Sequence, residues 1–285
     1  MLKKYTFIRL VGGLGNQLYI YAFGLAHSKK HNTELIIDNK SGFGERDFYG
    51  GVFSLNGLSI KEKFIDRSLF RFIIANRYFW FLARKLKVSF VEEDTTKYHK
   101  DIWCVNSHFY EGYWQSFKYF NEHRETIKKN LLLSSSKKSE ISVYENKILG
   151  AKNSVALCMR FYEANPANEN IYKVYDEKYY SQAIEFLESK EYNLTYFIFT
   201  INVERAKKLL SKYNNKDIIF INPMEKKIDA NLDLHLMSLC KHFIISNSTL
   251  YWWAAYIGEQ EDSYVISPKN GFINKDTLLP NWVQI

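Results

Sequence analysis

The strongest constraint on the fold is an alternation of short apolar runs with amphipathic segments in the second half of the chain. Five runs rich in apolar and β-branched residues predict buried strands: 154–159, 195–200, 217–222, 242–246 and 263–267. Four segments between them have the apolar spacing of helices: 178–189, 203–213, 231–240 and 249–258. This alternation indicates βαβ units and a parallel sheet, whose ligands bind at the carboxyl ends of the strands.

The first half of the chain begins with the same pattern. A strand, a helix and a second strand are predicted in succession at 5–11, 16–31 and 34–38. The pattern is less regular after that, and residues 132–153 are polar and rich in Ser and Lys, which is typical of a connection between domains. The chain is long enough for two domains. We therefore predict two α/β domains with a cleft between them, residues 1–140 and 150–285.

The turn between the first strand and the first helix is rich in glycine. Gly13-x-Gly15 after a strand, with Asp38 at the end of the next strand, is similar to a dinucleotide-binding fingerprint. That fingerprint needs a small residue three positions after Gly15 for close packing of the helix, and Leu18 stands there. This disfavours a nicotinamide- or flavin-dependent oxidoreductase. Asn16 is expected to cap the helix, whose first amides can also bind an anion.

The cysteines and the apolar runs indicate the compartment. Cys104, Cys158 and Cys240 are odd in number and widely spaced, which fits neither a disulfide framework nor a metal site. The first residues lack an apolar run of the length found in secretory signals, and no run of about 18 uncharged apolar residues occurs. We therefore expect a cytoplasmic protein whose thiols stay reduced.

Positive charge is concentrated in the first half of the chain. Residues 1–150 contain 24 Lys and Arg against 15 Asp and Glu, whereas residues 151–285 contain 15 against 16. Residues 66–88 place six basic side chains among Phe, Trp and Ile. Basic aromatic segments of this kind can bind the surface of an anionic membrane. The alternative is a helix that packs on its own domain and exposes its basic face to solvent.

Five stretches of the sequence resemble glycosyltransferase family 11, which contains bacterial α-1,2-fucosyltransferases. They are "GGLGNQLYIYAFGLA" (12–26), "EGYWQSFKYF" (111–120), "LDLHLMSLCKHFIISNSTLYWWAAYIG" (232–258), "VISPKNGF" (265–272) and "LPNWVQI" (279–285). The resemblance follows the family's order along nearly the whole chain. It implies the GT-B fold, an α/β architecture of two Rossmann-like domains facing across a cleft.

The same resemblance implies an activity. Family members of this type are inverting glycosyltransferases that move L-fucose from GDP-fucose to a galactose-type hydroxyl of a glycan. The expected setting is bacterial O-antigen, surface polysaccharide or lipooligosaccharide synthesis. Residues 1–140 then form the acceptor side, and residues 150–285 bind the nucleotide sugar.

The family's His-x-Arg-Arg-x-Asp motif falls at positions that read Cys-Met-Arg-Phe-Tyr-Glu here, from Cys158 to Glu163. Arg160 is the arginine that remains, and the resemblance implies that it stabilises charge developing on the β-phosphate of the donor. The alternative role of Arg160 is a salt bridge, for instance with Glu163. Glu163 is the first candidate for the base that deprotonates the acceptor, and Asp38 is the second. Cys158 and Phe161 depart from the motif, which leaves open another nucleotide sugar or a non-catalytic relative that only binds one.

Seven further residues are predicted to bind the donor: Gly13, Gly15, Asn16, Asp233, Asn247, Ser248 and Thr249. The glycine turn and the 247–249 turn each precede a helix, where hydroxyls and unpaired amides favour phosphate. Asp233 can accept from the edge of guanine, as an acid near this place does in similar enzymes. Its alternative role is a solvent-exposed acid at the start of a helix.

Neither an Asp-x-Asp motif in a metal-site context nor a metal-site cluster of histidines occurs in the sequence. We therefore expect no metal and no other cofactor besides the GDP-fucose substrate. The expected partners are a GDP-sugar donor and a glycan acceptor, free or lipid-linked, and no nucleic acid. Peripheral contact with the inner face of the cell membrane through residues 66–88 stays open.

Overall fold

The structure is a computed structural model that describes residues 5–40, 42–43, 53–65, 90–93, 97–104, 109–134, 142–161, 175–221 and 229–285. The chain forms two compact units. Unit 1 consists of Met1–Leu132 and Ile273–Leu279, and unit 2 of Leu133–Phe272 and Pro280–Ile285. Glu163 and the segment 66–88 lie outside the described residues. The acceptor and donor roles assigned to residues 1–140 and 150–285 stay predictions.

Unit 1 is built on a five-stranded parallel sheet. Its strands are β1 (Tyr5–Arg9), β2 (Glu34–Asp38), β3 (Lys63–Ile65), β4 (Phe90–Glu92) and β5 (Phe109–Glu111), in the order β3-β2-β1-β5-β4. Its described residues include two α-helices, α1 (Leu14–His31) and α2 (Arg124–Asn130), and short 3-10 turns. The predicted strands and helix at the start of the chain are therefore confirmed, with bounds shifted by at most two residues.

Helix α1 is the central helix of unit 1 and is apolar on nearly all sides, so most of it is buried. A side chain at Gly24 would approach Ile8 and Leu35 within 2.9 Å, so this glycine lets the helix lie close to the sheet. The helix ends where Asn32 adopts a left-handed conformation with φ 51°, which is common at helix C-termini.

Unit 2 is built on a six-stranded parallel sheet. Its strands are β6 (Asn153–Met159), β7 (Leu194–Thr200), β8 (Asp217–Phe220), β9 (His242–Ile244), β10 (Val265–Ser267) and β11 (Val283–Gln284), in the order β11-β10-β9-β6-β7-β8. The helices in the part of unit 2 that the structure describes are α3 (Ser142–Gly150), α4 (Glu177–Glu188), α5 (Val203–Leu210), α6 (Ala230–Ser238) and α7 (Thr249–Gly258). All five strands and four helices predicted for this half are present.

The core of unit 2 is centred on β6, which is buried along its whole length because both faces of a parallel sheet are covered. β6 pairs with β7 from Asn153 opposite Leu194 to Met159 opposite Thr200. β6 also pairs in parallel with β9. The carboxyl ends of these three central strands therefore lie side by side at one edge of the sheet.

Candidate functional site

Arg160 directly follows β6 and is half-buried at the carboxyl edge of the unit 2 sheet. The Tyr251 hydroxyl donates to the carbonyl of Met159, 3.3 Å away, and so holds the end of the strand. The Tyr180 hydroxyl lies next to the backbone of Arg160, and burial raises the pKa of this hydroxyl. The guanidinium of Arg160 thus follows a buried strand whose end is held by a hydrogen bond, at the edge where ligands of parallel sheets bind.

Asp233 lies in the first turn of α6 and is half-buried, so it is an acid at the start of a helix as the alternative role expects, but only part of its side chain reaches solvent. Asp229 caps this helix by accepting from the amide of Asn231 at 2.9 Å. Burial first, and then the charge of Asp229, raise the pKa of Asp233 to about 7. The Asp233 carboxyl therefore changes its charge near neutral pH.

The 246–249 turn joins β9 to α7. Ser246 and Asn247 are buried, and the amide of Ser248 donates to the carbonyl of Ser246 at 2.8 Å. Ser248 occupies the N-cap position of α7, but its side chain makes no capping hydrogen bond. Thr249 is the first residue of the helix. The first amides of a helix have no partners within the helix, so this turn presents donors together with hydroxyl groups.

Tyr251, in the first turn of α7, connects these elements, although no sequence motif indicates it. Burial raises the pKa of its hydroxyl well above the usual range, and Cys158, Arg160 and Asp233 lie close enough to act on that pKa as well. The structure therefore brings together the end of β6, the start of α6 and the start of α7. The signal available in the sequence was position: Tyr251 stands one turn after the end of a predicted strand.

Cys158 and Phe161, two of the three positions that depart from the family motif, are both buried in the core of unit 2. The Cys158 Sγ atom lies 3.5 Å from the Met237 Sδ atom, and burial raises the pKa of the thiol well above its ordinary value. The thiol is therefore neutral and cannot act as a base as an imidazole could. Phe161 is fully buried among apolar residues of β6 and α4. Trp252 and Trp253, one turn into α7, are also fully buried.

The glycine turn lies in unit 1, at the start of α1. Gly12 has φ +72°, which favours glycine, and a Cβ there would lie 2.8 Å from the Asn16 side chain. The helix begins at Leu14, with Gly13 at the N-cap and Gly15 buried in the first turn. The prediction that Asn16 caps α1 is wrong, because the sharp turn at Gly12 starts the helix two residues earlier.

Two glutamines that no sequence motif indicates hold this turn. The Gln17 side chain donates to the carbonyl of Gly12 at 2.8 Å and accepts from the amide of Ser54 at 3.0 Å. The side chain of Gln115 donates to the side-chain oxygen of Asn16 at 3.0 Å. Gln17 is fully buried, so its side chain fixes the turn from below while Gly13 stays exposed.

Asp38, the second candidate for the base, ends β2 and is almost fully buried. Its carboxylate accepts from the backbone amide of Lys40 at 2.9 Å, which is a local turn bond. Within the described ranges, no group of three His, Cys, Asp or Glu side chains could hold a metal ion. Among the helices described, none combines the length and the apolar character needed to cross a lipid bilayer.

The sequence model of glycosyl transferase family 11 matches residues 7–285. The chain belongs to glycosyltransferase family 11. Two curated relatives of this family 11 protein come from Escherichia coli. An alpha-1,2-colitosyltransferase is 29% identical over 97% of each chain, and the O-antigen biosynthesis glycosyltransferase WbnK is 26% identical over 97% of this chain and 99% of its own. This family 11 protein is therefore a glycosyltransferase.

Comparison with solved structures identifies the fold of this family 11 protein. A mutant of Arabidopsis thaliana FUT1, solved in complex with GDP, matches 95% of this chain and 72% of its own with a TM-score of 0.61 and 11% identity. Together with the two parallel α/β units, this likeness confirms the GT-B fold that the sequence predicted.

Proposed function

We propose that this family 11 enzyme is an inverting α-1,2-fucosyltransferase. It transfers L-fucose from GDP-fucose to a galactose-type hydroxyl of a glycan in bacterial O-antigen or related surface polysaccharide synthesis. The names of the two Escherichia coli relatives support the linkage and the setting. The observation that carries the proposal is the cluster of Arg160, Asp233 and the start of α7 around Tyr251, at the carboxyl edge of the unit 2 sheet.

In this proposal Arg160 and the 247–249 turn bind the diphosphate of the donor. Breaking the bond between sugar and phosphate places charge on the β-phosphate, and a guanidinium that is already positioned stabilises that charge without reorganisation. The hydroxyl and amide groups of Asn247, Ser248 and Thr249 supply further donors. The turn of Gly13, Gly15 and Asn16 is proposed to contribute contacts to the same phosphates.

Asp233 is proposed to recognise guanine. An ionised carboxylate has two acceptor oxygens for the two adjacent N–H donors on the guanine edge, so ionised Asp233 binds it best. Because burial raises the pKa of Asp233 to about 7, nucleotide binding near neutral pH then releases a proton. GDP affinity is expected to rise with pH through 7, and calorimetry in buffers of different ionisation enthalpy measures the proton released.

The proposed base is Glu163, with Asp38 second, and it deprotonates the acceptor hydroxyl. Residues 66–88 are proposed to bring the enzyme to a lipid-linked acceptor at the inner face of the cell membrane. Both assignments extend the proposal beyond the cluster in unit 2, and each can fail without the donor site failing.

Donor screening by thermal shift tests the proposed function. A ligand that binds only the folded state stabilises it by about 2.7 kcal/mol at 100 times its Kd. GDP and GDP-fucose are expected to raise the Tm, whereas UDP-sugars and NAD are not. A shift with UDP-sugars but not with GDP would overturn the guanine assignment.

A second candidate within the same class is a different sugar on the GDP donor. The colitosyltransferase relative favours it, since colitose is L-fucose without the 3-hydroxyl. Turnover with GDP-colitose that exceeds turnover with GDP-fucose identifies this case. A non-catalytic relative is the other candidate, favoured by the burial of Cys158 and Phe161 in place of a histidine and an arginine. Donor binding without transfer to any acceptor glycan identifies it.

A further inference from the structure

Position 161 is where the family motif has its second arginine, and the structure shows why Phe161 leaves no cation there. The Phe161 side chain is fully buried and packs in the core of unit 2 with Met159, Tyr180 and Ala206. A guanidinium at this place would therefore be supplied by another element.

Arg205 brings a guanidinium to this position from the neighbouring helix. Its guanidinium carbon lies 4.6 Å from the centre of the Phe161 ring. Arg205 is exposed in the first turn of α5, which follows β7. Because β6 and β7 pair in parallel up to Met159 and Thr200, the residues that follow both strands lie at the same edge of the sheet.

The orientation of Arg205 is set by its helix. Asn202 caps α5 by accepting from the Arg205 amide at 2.9 Å. Val203 and Ala206 are buried on the two sides of Arg205 in the sequence, which fixes the face of α5 that meets the sheet. The acid beside it, Glu204, pairs with Lys207 at 2.8 Å. Arg205 is thus held over the ring by the start of its helix.

A guanidinium that stacks on an aromatic ring keeps its charge and its peripheral N–H donors. Such an edge is suited to phosphate oxygens, which it can bind in pairs. We propose that Arg205, seated on Phe161, contacts the donor diphosphate as a second guanidinium beside Arg160. This inference rests on the proposed function, and it names a residue that the linear motif does not contain.

The test compares Arg205→Gln with Lys208→Gln, which removes an exposed positive charge from the same helix. Isothermal titration measures the Kd of GDP and GMP for each variant. We expect Arg205→Gln to raise the Kd of GDP about tenfold. The Kd of GMP should rise much less, because GMP lacks the β-phosphate. Lys208→Gln is expected to leave the Kd values of GDP and GMP within about twofold of those of wild type. If Arg205→Gln binds GDP as tightly as Lys208→Gln does, Arg205 only packs on Phe161 and the inference is overturned.

An exchange of the two side chains gives a second measurement. Arg205→Phe alone is expected to weaken GDP binding as much as Arg205→Gln does. Phe161→Arg combined with Arg205→Phe restores both the cation and the ring, so GDP affinity should return to within about threefold of wild type. A folded exchange variant that binds GDP no better than Arg205→Phe contradicts the inference. If the exchange variant does not fold, the glutamine comparison decides.

Arg160→Ala separates this inference from the proposed function. Suppose that wild type binds GDP and that Arg160→Ala weakens this binding. If Arg205→Gln does not weaken it, the inference fails and the proposed function stands. If wild type does not bind GDP, both fail.

Discussion

Arg160 is the residue on which the proposed chemistry depends most. It stands at the end of a fully buried strand, so its replacement removes a charge and leaves the strand in place. We expect Arg160→Ala to lower turnover about a hundredfold, the usual effect of losing one group that stabilises developing charge. Steady-state rates with GDP-fucose and a galactose-type acceptor measure this, with circular dichroism as the control for folding. Near-normal turnover would remove Arg160 from the mechanism.

Asp233 makes the stability of the protein depend on pH. Its pKa is about 7 in the folded protein, raised by burial, so between about pH 4 and pH 7 the folded state binds more protons than the unfolded state. Stability therefore falls as the pH rises through this window. Asp233→Asn removes that loss, and we expect the variant to be about 2–4 kcal/mol more stable than wild type at pH 8. Urea denaturation at about pH 4.5 and pH 8 tests it, and an equal difference at both pH values contradicts the raised pKa.

The single residues of the site were only partly predictable from the sequence. Arg160 and Asp233 stand out because an arginine directly after a buried strand and an acid at the start of a helix can be read from the chain. Tyr251, Gln17 and Arg205 could not be found in this way. Each matters through a contact with a residue distant in the sequence or in another element, and linear spacing does not encode such contacts.

At the scale of elements, β6 to β10 and α4 to α7 of unit 2 are predictable because apolar runs of five residues or more alternate with amphipathic helical segments. β9 and β10 are as short as β3, β4 and β5, with three residues each, but they lie within this alternation, whereas β3, β4 and β5 lie where the pattern is less regular. α3 lies in the polar stretch 132–153, whose composition is typical of a connection between domains and does not predict a helix. The start of α1 was misplaced because the positive φ of Gly12, which tightens the turn, is a property of the folded backbone.

The turn before α1 yields a prediction of its own. Gln17→Ala leaves the carbonyl of Gly12 and the amide of Ser54 without their buried side-chain partner. A buried polar group that loses its partner costs about 1–3 kcal/mol, so we expect a loss of unfolding free energy of that size. Gln115→Ala is the matched comparison, because its half-buried side chain makes one bond to Asn16 and should cost less. Equal losses in chemical denaturation of the two variants would show that Gln17 has no special role.

At the scale of the whole molecule, the proposed transfer depends on a guanidinium and on backbone and hydroxyl donors. Such groups need no cation to stabilise a leaving diphosphate. We expect turnover to survive EDTA with less than a twofold change. Loss of activity on chelation, restored by Mn²⁺, would reveal a metal site that the proposal lacks.

The uneven charge of the chain carries a further prediction. Each basic residue near an anionic membrane contributes about 1 kcal/mol of attraction, which salt screens. Replacing Arg77, Arg84, Lys85 and Lys87 together should weaken binding to phosphatidylserine vesicles and leave turnover on a soluble neutral acceptor unchanged. Co-sedimentation at low and high salt measures the binding. If the wild-type protein does not bind such vesicles at low salt, the membrane proposal is wrong and the basic segment is only a solvated surface.

Residues 273–279 belong to unit 1, although the chain on both sides of them belongs to unit 2. There Thr277 donates to the carbonyl of Gln115 at 2.7 Å, and Asp276 accepts from the amide of Tyr98 at 3.0 Å. A chimera joined at a single crossover between the two units exchanges residues 133–285 as one block. A graft of residues 133–285 would carry a foreign 273–279 into the recipient's unit 1. Two further crossovers, one on each side of this segment, keep the recipient's own hydrogen bonds.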